Sequence, residues 1–141
     1  MFKEILLPID LDEPSSWAKA LPTAVELCRA SPARLHILTV VPEFRRPGVI
    51  EVLPNDYERR VLAEANRRLN VLIEEKVPPA VPTRPIVATG TIYKVIIDTA
   101  DGIPADLIVM ASHRPELSDY LLGPNAARVV RHSSRSVMVV R

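Results

Sequence analysis

At 141 residues, 48% of them hydrophobic and 25% charged, the chain has enough apolar material for one continuous core and too much to stay disordered. The formal net charge is +1, so neither nucleic acid nor an anionic membrane is expected as a partner. Cys28 is the only cysteine, which excludes an internal disulfide, a CxxC motif and a thiolate metal site.

Glu4 and Asp10 interrupt any apolar leader, and no apolar run approaches the ~20 residues of a membrane helix, so a cytoplasmic protein is expected. Ile5-Leu6-Leu7-Pro8-Ile9 reads as a buried strand stopped by acids and Pro14. Trp17, Ala20, Leu21, Ala24, Val25 and Cys28 then recur at helical spacing, with Cys28 as a small core residue. Pro22 conflicts with that helix, because a mid-helix proline removes a hydrogen bond. Leu35 to Val41 is the second predicted strand. Pro42 to Pro54 reads as a long loop, and Asn55-Asp56-Tyr57-Glu58 resembles a capping box with Asn as the cap.

The helix that follows carries Tyr57, Val61, Ala65, Leu69 and Leu72 on one face. Its arginines, Arg59, Arg60, Arg67 and Arg68, alternate with Glu58 and Glu64 as a solvated face. Pro78, Pro79, Pro82 and Pro85 stiffen the approach to a third strand, Arg84 to Thr89, whose prolines suit a sheet edge. Gly90-Thr91 turns the chain into a helix with Ile92, Val95, Ile96 and Thr99. Leu107 to Ala111 is the most uniformly apolar strand, Pro124 to His132 a short helix, and Ser136 to Val140 the last strand.

Strands alternating with helices predict a single α/β domain over residues 1–141: a doubly wound, five-stranded parallel sheet covered by helices on both faces. Right-handed crossovers favour the order 3-2-1-4-5. Ligands of such sheets bind beyond the carboxyl ends of the strands where the winding reverses, between the first and fourth strands. The loops there are Asp10 to Ser15 and Ser112 to Gly123.

Asp10 ends the first strand, where a carboxylate accepts hydrogen bonds from a base or ribose or holds Mg²⁺ through water. Asp12 or Ser15 reads as a helix cap, and the acids there suit the helix dipole. Gly123 precedes a helix whose first N–H groups form an anion site, with Ser112, Arg114 and Asn125 as further polar groups. His113 has no acid or nucleophile beside it in sequence; His36 and His132 read as structural.

Four segments carry a resemblance: Ile5-Leu6-Leu7-Pro8-Ile9-Asp10, Ala105 to Arg114, Leu122-Gly123-Pro124-Asn125-Ala126-Ala127-Arg128-Val129-Val130-Arg131-His132, and Ser136-Val137-Met138-Val139-Val140. Together they resemble the universal stress protein family, in particular its bacterial single-domain branch with an Ala-Ser-His-Arg-Pro loop. The resemblance implies a homodimeric stress-response protein, often with ATP in the crevice. It places Asp10 and the main chain of Val40 at the adenine, Met110, Ala111 and Arg114 along the ribose and phosphate path, and Gly123, Pro124 and Asn125 at the triphosphate. The full expected set adds Pro8, Ile9, His113 and Ala126. No catalytic residue is expected, since there is no P-loop lysine and no assigned water-positioning base, so hydrolysis should be slight or nil.

The chain departs from the family's ATP-binding pattern. Ala111 and Arg114 stand where glycines are typical, the spacer to Gly123 is shorter by a residue, and Pro124 takes the place of a Ser or Thr. Arg114 supplies a charge-assisted phosphate contact instead. Pro124 supplies neither hydroxyl nor N–H, although proline suits the first helical position. The alternative of another class is a nucleotide-free dimeric adaptor that acts through an unknown protein partner.

Overall fold

The computed structural model describes residues 1–41, 56–112 and 123–141. Along the chain run β1 (Glu4–Ile9), a single 3₁₀ turn (Pro14–Ser16), α1 (Ala20–Ala30), β2 (Arg34–Val41), α2 (Tyr57–Lys76), β3 (Thr83–Thr89), α3 (Ile92–Gly102), β4 (Leu107–Ala111), α4 (Pro124–His132) and β5 (Ser136–Val140). The strands form one five-stranded sheet in the order β3-β2-β1-β4-β5. Every pairing in it is parallel, with Ile5 opposite both Leu35 and Leu107, and Leu107 opposite Ser136. The predicted fold and strand order are therefore those observed. Proline-bearing β3 lies at the edge, where a missing N–H breaks no shared ladder.

Alternation along the strands sends side chains to two cores. Ile5, Leu7, Ile9, Leu35 and Ile37 pack beneath α1 and α2, against Leu21, Val25, Cys28, Leu69 and Leu72. Leu6, Leu38, Ile108 and Met110 face the other way, against Ile96 and Ala100 of α3 and Ala126 and Val129 of α4. Cys28 is buried as expected, and burial pushes its thiol up to about 11, which leaves it inert at neutral pH.

The structure differs from the expectation at three helix starts. Trp17 is not helical; it closes the 3₁₀ turn, and α1 begins at Ala20. The Pro22 conflict disappears with it, because Pro22 then sits in the first turn, where the missing N–H is tolerated. The α2 cap is Asp56, one residue beyond the expected Asn55, which lies outside the described residues. Asp56 makes no side-chain cap bond and instead pairs with Arg60 at 3.3 Å. Neither Asp12 nor Ser15 caps a helix. Glu13 holds the cap position of the 3₁₀ turn, and its side chain makes no capping bond.

Candidate functional site

At the carboxyl end of β1 a compact loop is held together by its own polar groups. Asp10 Oδ1 accepts the N–H of Asp12 at 2.9 Å, and the Asp10 carbonyl accepts that of Glu13 at 3.1 Å. Ser16 locks the other side: its Oγ accepts the Asp10 N–H at 2.8 Å and donates to the Glu13 carbonyl at 2.7 Å. Asp12 points outward, to Arg68 Nη2 of α2 at 2.9 Å, and the same nitrogen lies 3.4 Å from the Leu11 carbonyl. Arg68 was expected on a solvated face; it ties α2 to this loop. Arg67 fits the expectation, paired with Glu64 one turn away at 2.6 Å.

At the carboxyl end of β4 the chain is fastened twice. The Ser112 N–H donates to the Val140 carbonyl at 3.0 Å, and the Ser112 carbonyl accepts the Gly123 N–H at 2.8 Å. That second bond sets the start of α4. A side chain at Gly123 would bring its Cβ to 3.1 Å from the Ser112 oxygen, so glycine lets the two segments approach this closely. The Gly123 N–H is thereby taken up by the fold. Pro124 follows at the first helical position and has no N–H. The first donors that α4 does not itself bond are therefore those of Asn125 and Ala126.

Between these two ends lies a cavity of about 140 Å³. Ten of the twelve expected site residues line it: Pro8, Ile9, Asp10, Val40, Met110, Ala111, Gly123, Pro124, Asn125 and Ala126. The other two, His113 and Arg114, lie outside the described residues. Sequence reasoning missed Glu13, Ser16, Ile92 and Ile96 in the lining. The two isoleucines had a usable signal: they recur one helical turn apart directly after the β3–α3 turn. That turn rests on Gly90, whose φ of +135° makes it the one described residue in left-handed backbone.

Most of the lining is apolar, and Asp10, Glu13, Ser15, Ser16, Ser112 and Asn125 are its polar residues. An adjoining hollow of about 600 Å³ shares Asp10, Val40 and Ile92 with it and runs toward Tyr57, Val61 and Arg68 of α2. Among the described residues no group of three or more His, Cys, Asp or Glu side chains converges as a metal site. No described helix is long and apolar enough to cross a membrane.

The sequence matches the model of the Universal stress protein family over residues 1–141. The chain belongs to that family. Among its relatives, Universal stress protein G of Shigella flexneri is 28% identical over 143 residues, covering 100% of both chains. The solved structure of universal stress protein UspA from Lactobacillus plantarum superposes with a TM-score of 0.73 at 25% identity, covering 99% of this chain and 97% of that one. A universal stress protein crystallised in complex with cAMP matches with a TM-score of 0.63, also at 25% identity, over 99% of this chain and 97% of that one.

Proposed function

We propose that this universal stress protein holds an adenine nucleotide, ATP among them, in the crevice between β1 and β4, and that it acts in the cytoplasm as a homodimeric stress-response regulator rather than as an enzyme. The observation that carries the proposal is the convergence of ten expected residues on one cavity at the point where the sheet reverses its winding. Ile9, Val40 and Met110 offer an apolar surface for a base, Asp10 accepts from an amino or hydroxyl group, and the Asn125 and Ala126 N–H groups meet a phosphate. The relative in complex with cAMP supports the choice of an adenine nucleotide. Any Mg²⁺ would arrive with the phosphates, since the described residues form no metal cluster of their own.

Thermal melts with and without ATP-Mg²⁺ test the proposal. A ligand at 100 times its Kd adds about 2.7 kcal/mol to stability. No shift with any adenine nucleotide at millimolar concentration would favour the nucleotide-free adaptor. Phosphate release should stay below about one turnover per minute, far under the ~1–10³ s⁻¹ of ordinary enzymes.

The dimer is assigned to the edge of β5, where Val137 to Val140 are half-buried with one side of the strand unpaired among the described residues. The Val140 carbonyl points to β4, so alternation turns the main-chain groups of Val139 outward. Val139→Pro therefore removes an outward donor and spares the β4 ladder. Light scattering should show the parent as a dimer at micromolar concentration and the variant as a monomer; a variant that stays dimeric sinks the assignment.

A further inference from the structure

We infer that Ser16 is a positioning residue of the crevice: it fixes the Asp10 carboxylate before a ligand arrives, so that the site selects ligands presenting a hydrogen-bond donor to that carboxylate. This rests on the nucleotide reading above and deepens it, because the donor is then the exocyclic amine or a ribose hydroxyl. The geometry of the loop carries the inference. Ser16 Oγ accepts the Asp10 N–H at 2.8 Å, and its one proton is shared between the carbonyls of Glu13 at 2.7 Å and Asp10 at 3.0 Å. A single hydroxyl therefore holds the main chain of Asp10 at both its N–H and its carbonyl. The Glu13 N–H reaches the same carbonyl at 3.1 Å. The side chain is held next, since Asp10 Oδ1 accepts the Asp12 N–H at 2.9 Å. With backbone and carboxylate fixed together, Oδ2 keeps a set direction in the lining of the cavity.

Exposure gives this arrangement its value. Asp10 is exposed, and a loosely held carboxylate in water is solvated in many orientations, so that one bond to a ligand gains little. Ordering the carboxylate within the protein beforehand removes that loss from the binding step. Ser16 lines the cavity, yet its proton is already used within the loop. Its influence on a ligand therefore passes through Asp10. The local sequence makes the arrangement possible, because Pro14 opens the 3₁₀ turn that brings Ser16 back to the end of β1.

Calorimetry on the intact protein tests this with ATP, with ITP, whose base carries a carbonyl in place of the amine, and with 2′-deoxy- and 3′-deoxy-ATP. In the parent at least one analogue should bind roughly 10-fold more weakly than ATP, and which one it is names the donor. Ser16→Ala should shrink that ratio to roughly 3-fold or less, and Ser16→Thr, which keeps the hydroxyl, should preserve it. A substitution that only loosens the fold weakens all the ligands alike, so the ratio separates positioning from stability. A ratio unchanged in Ser16→Ala overturns the positioning role, as does a ratio lost equally in Ser16→Thr or a parent that binds ATP and all its analogues alike. Nucleotide binding stands in each of those cases. If none of the compounds binds at millimolar concentration, both the positioning role and the nucleotide reading fall.

Discussion

The two ends of the sheet are built in opposite ways. At the amino ends of the strands polar groups from distant segments are tied to one another. Asp106 Oδ2 accepts the N–H groups of Lys3 and Glu4 at 2.7 and 2.8 Å, and the Asp106 N–H returns a bond to the Glu4 carbonyl at 2.8 Å. Arg34 donates its N–H to the Lys3 carbonyl, Ser31 Oγ donates to that of Phe2, and buried His36 meets the Glu4 carboxylate through Nε2. At the carboxyl ends β1 and β4 are paired only as far as Leu6 and Ile108, and a cavity lies between the loops that follow them. The sealed end joins chain segments about a hundred residues apart and holds the sheet together; the open end leaves main-chain donors and carboxylates facing a space. Stability and ligand binding should accordingly respond to different substitutions.

The largest expected effect comes from unsealing the closed end at Glu4. Among the described residues the Nδ1 of His36 already lacks a hydrogen-bond partner, and its side chain is 3% exposed. Glu4→Ala would leave both ring nitrogens without one. A buried polar group stranded in this way costs about 1–3 kcal/mol, which urea melts read directly. Nucleotide affinity should hold within about 2-fold, since an effect confined to the folded state's far end adds independently of the site. A parallel loss of affinity would show that the two ends are coupled.

The intermediate effect belongs to the open end. Pro124→Ser restores an N–H and adds a hydroxyl at the start of α4. It should strengthen nucleotide binding by about 1 kcal/mol, roughly 5-fold. The same change gives up a favoured helix start and loosens the unfolded chain, so the free protein should lose up to ~1 kcal/mol. Affinity and stability moving in opposite directions would separate a phosphate contact from a general improvement of the fold. Unchanged affinity would place the phosphate away from α4.

How much of this was legible in the sequence follows from the same contrast. Strands and topology were readable because burial on both faces leaves continuous apolar runs, Ile5 to Ile9 and Leu107 to Ala111, that differ from the spaced pattern of the helices. The site was readable in outline because strand order fixes where the winding reverses, and the resemblance named the residues there. Local bonds were not. Nothing in the sequence says that the Gly123 N–H turns back to Ser112, because that bond joins the ends of a long connection. Helix starts slipped for a related reason. Trp17 has helical spacing, yet a turn anchored by Pro14 and a helix carrying Pro22 in its first turn leave it between the two. Arg68 fitted a solvated stripe by spacing alone, and only the packing of α2 beside the β1 loop brings it to Asp12.

The smallest expected effect is a shift of the acid limb of stability, and it again distinguishes the ends. The two N–H groups that Asp106 accepts, from Glu4 first and Lys3 next, hold its carboxyl below the usual carboxylate range. Hydrogen bonds to the charged form favour that form, and in the unfolded chain they are absent. The folded value thus lies below the unfolded one, and the native state binds fewer protons wherever the two differ. Asp106 then adds its full stabilisation above the ordinary carboxylate pKa of about 3.9, and loses it progressively as pH falls through the lower folded value. Asp106→Asn keeps one oxygen acceptor but cannot ionise. Urea midpoints for the parent and this variant should differ most near neutral pH and converge as the solution becomes strongly acidic. Because the group sits at the surface, salt and water weaken the effect, and it should be the least of the three. Nucleotide affinity at neutral pH should not move. If the two proteins show parallel acid limbs, the Asp106 carboxylate bonds to Lys3 and Glu4 do not distinguish the folded from the unfolded state, and the seal at the amino ends rests on the His36–Glu4 contact, the main-chain and Ser31 bonds and the strand ladder.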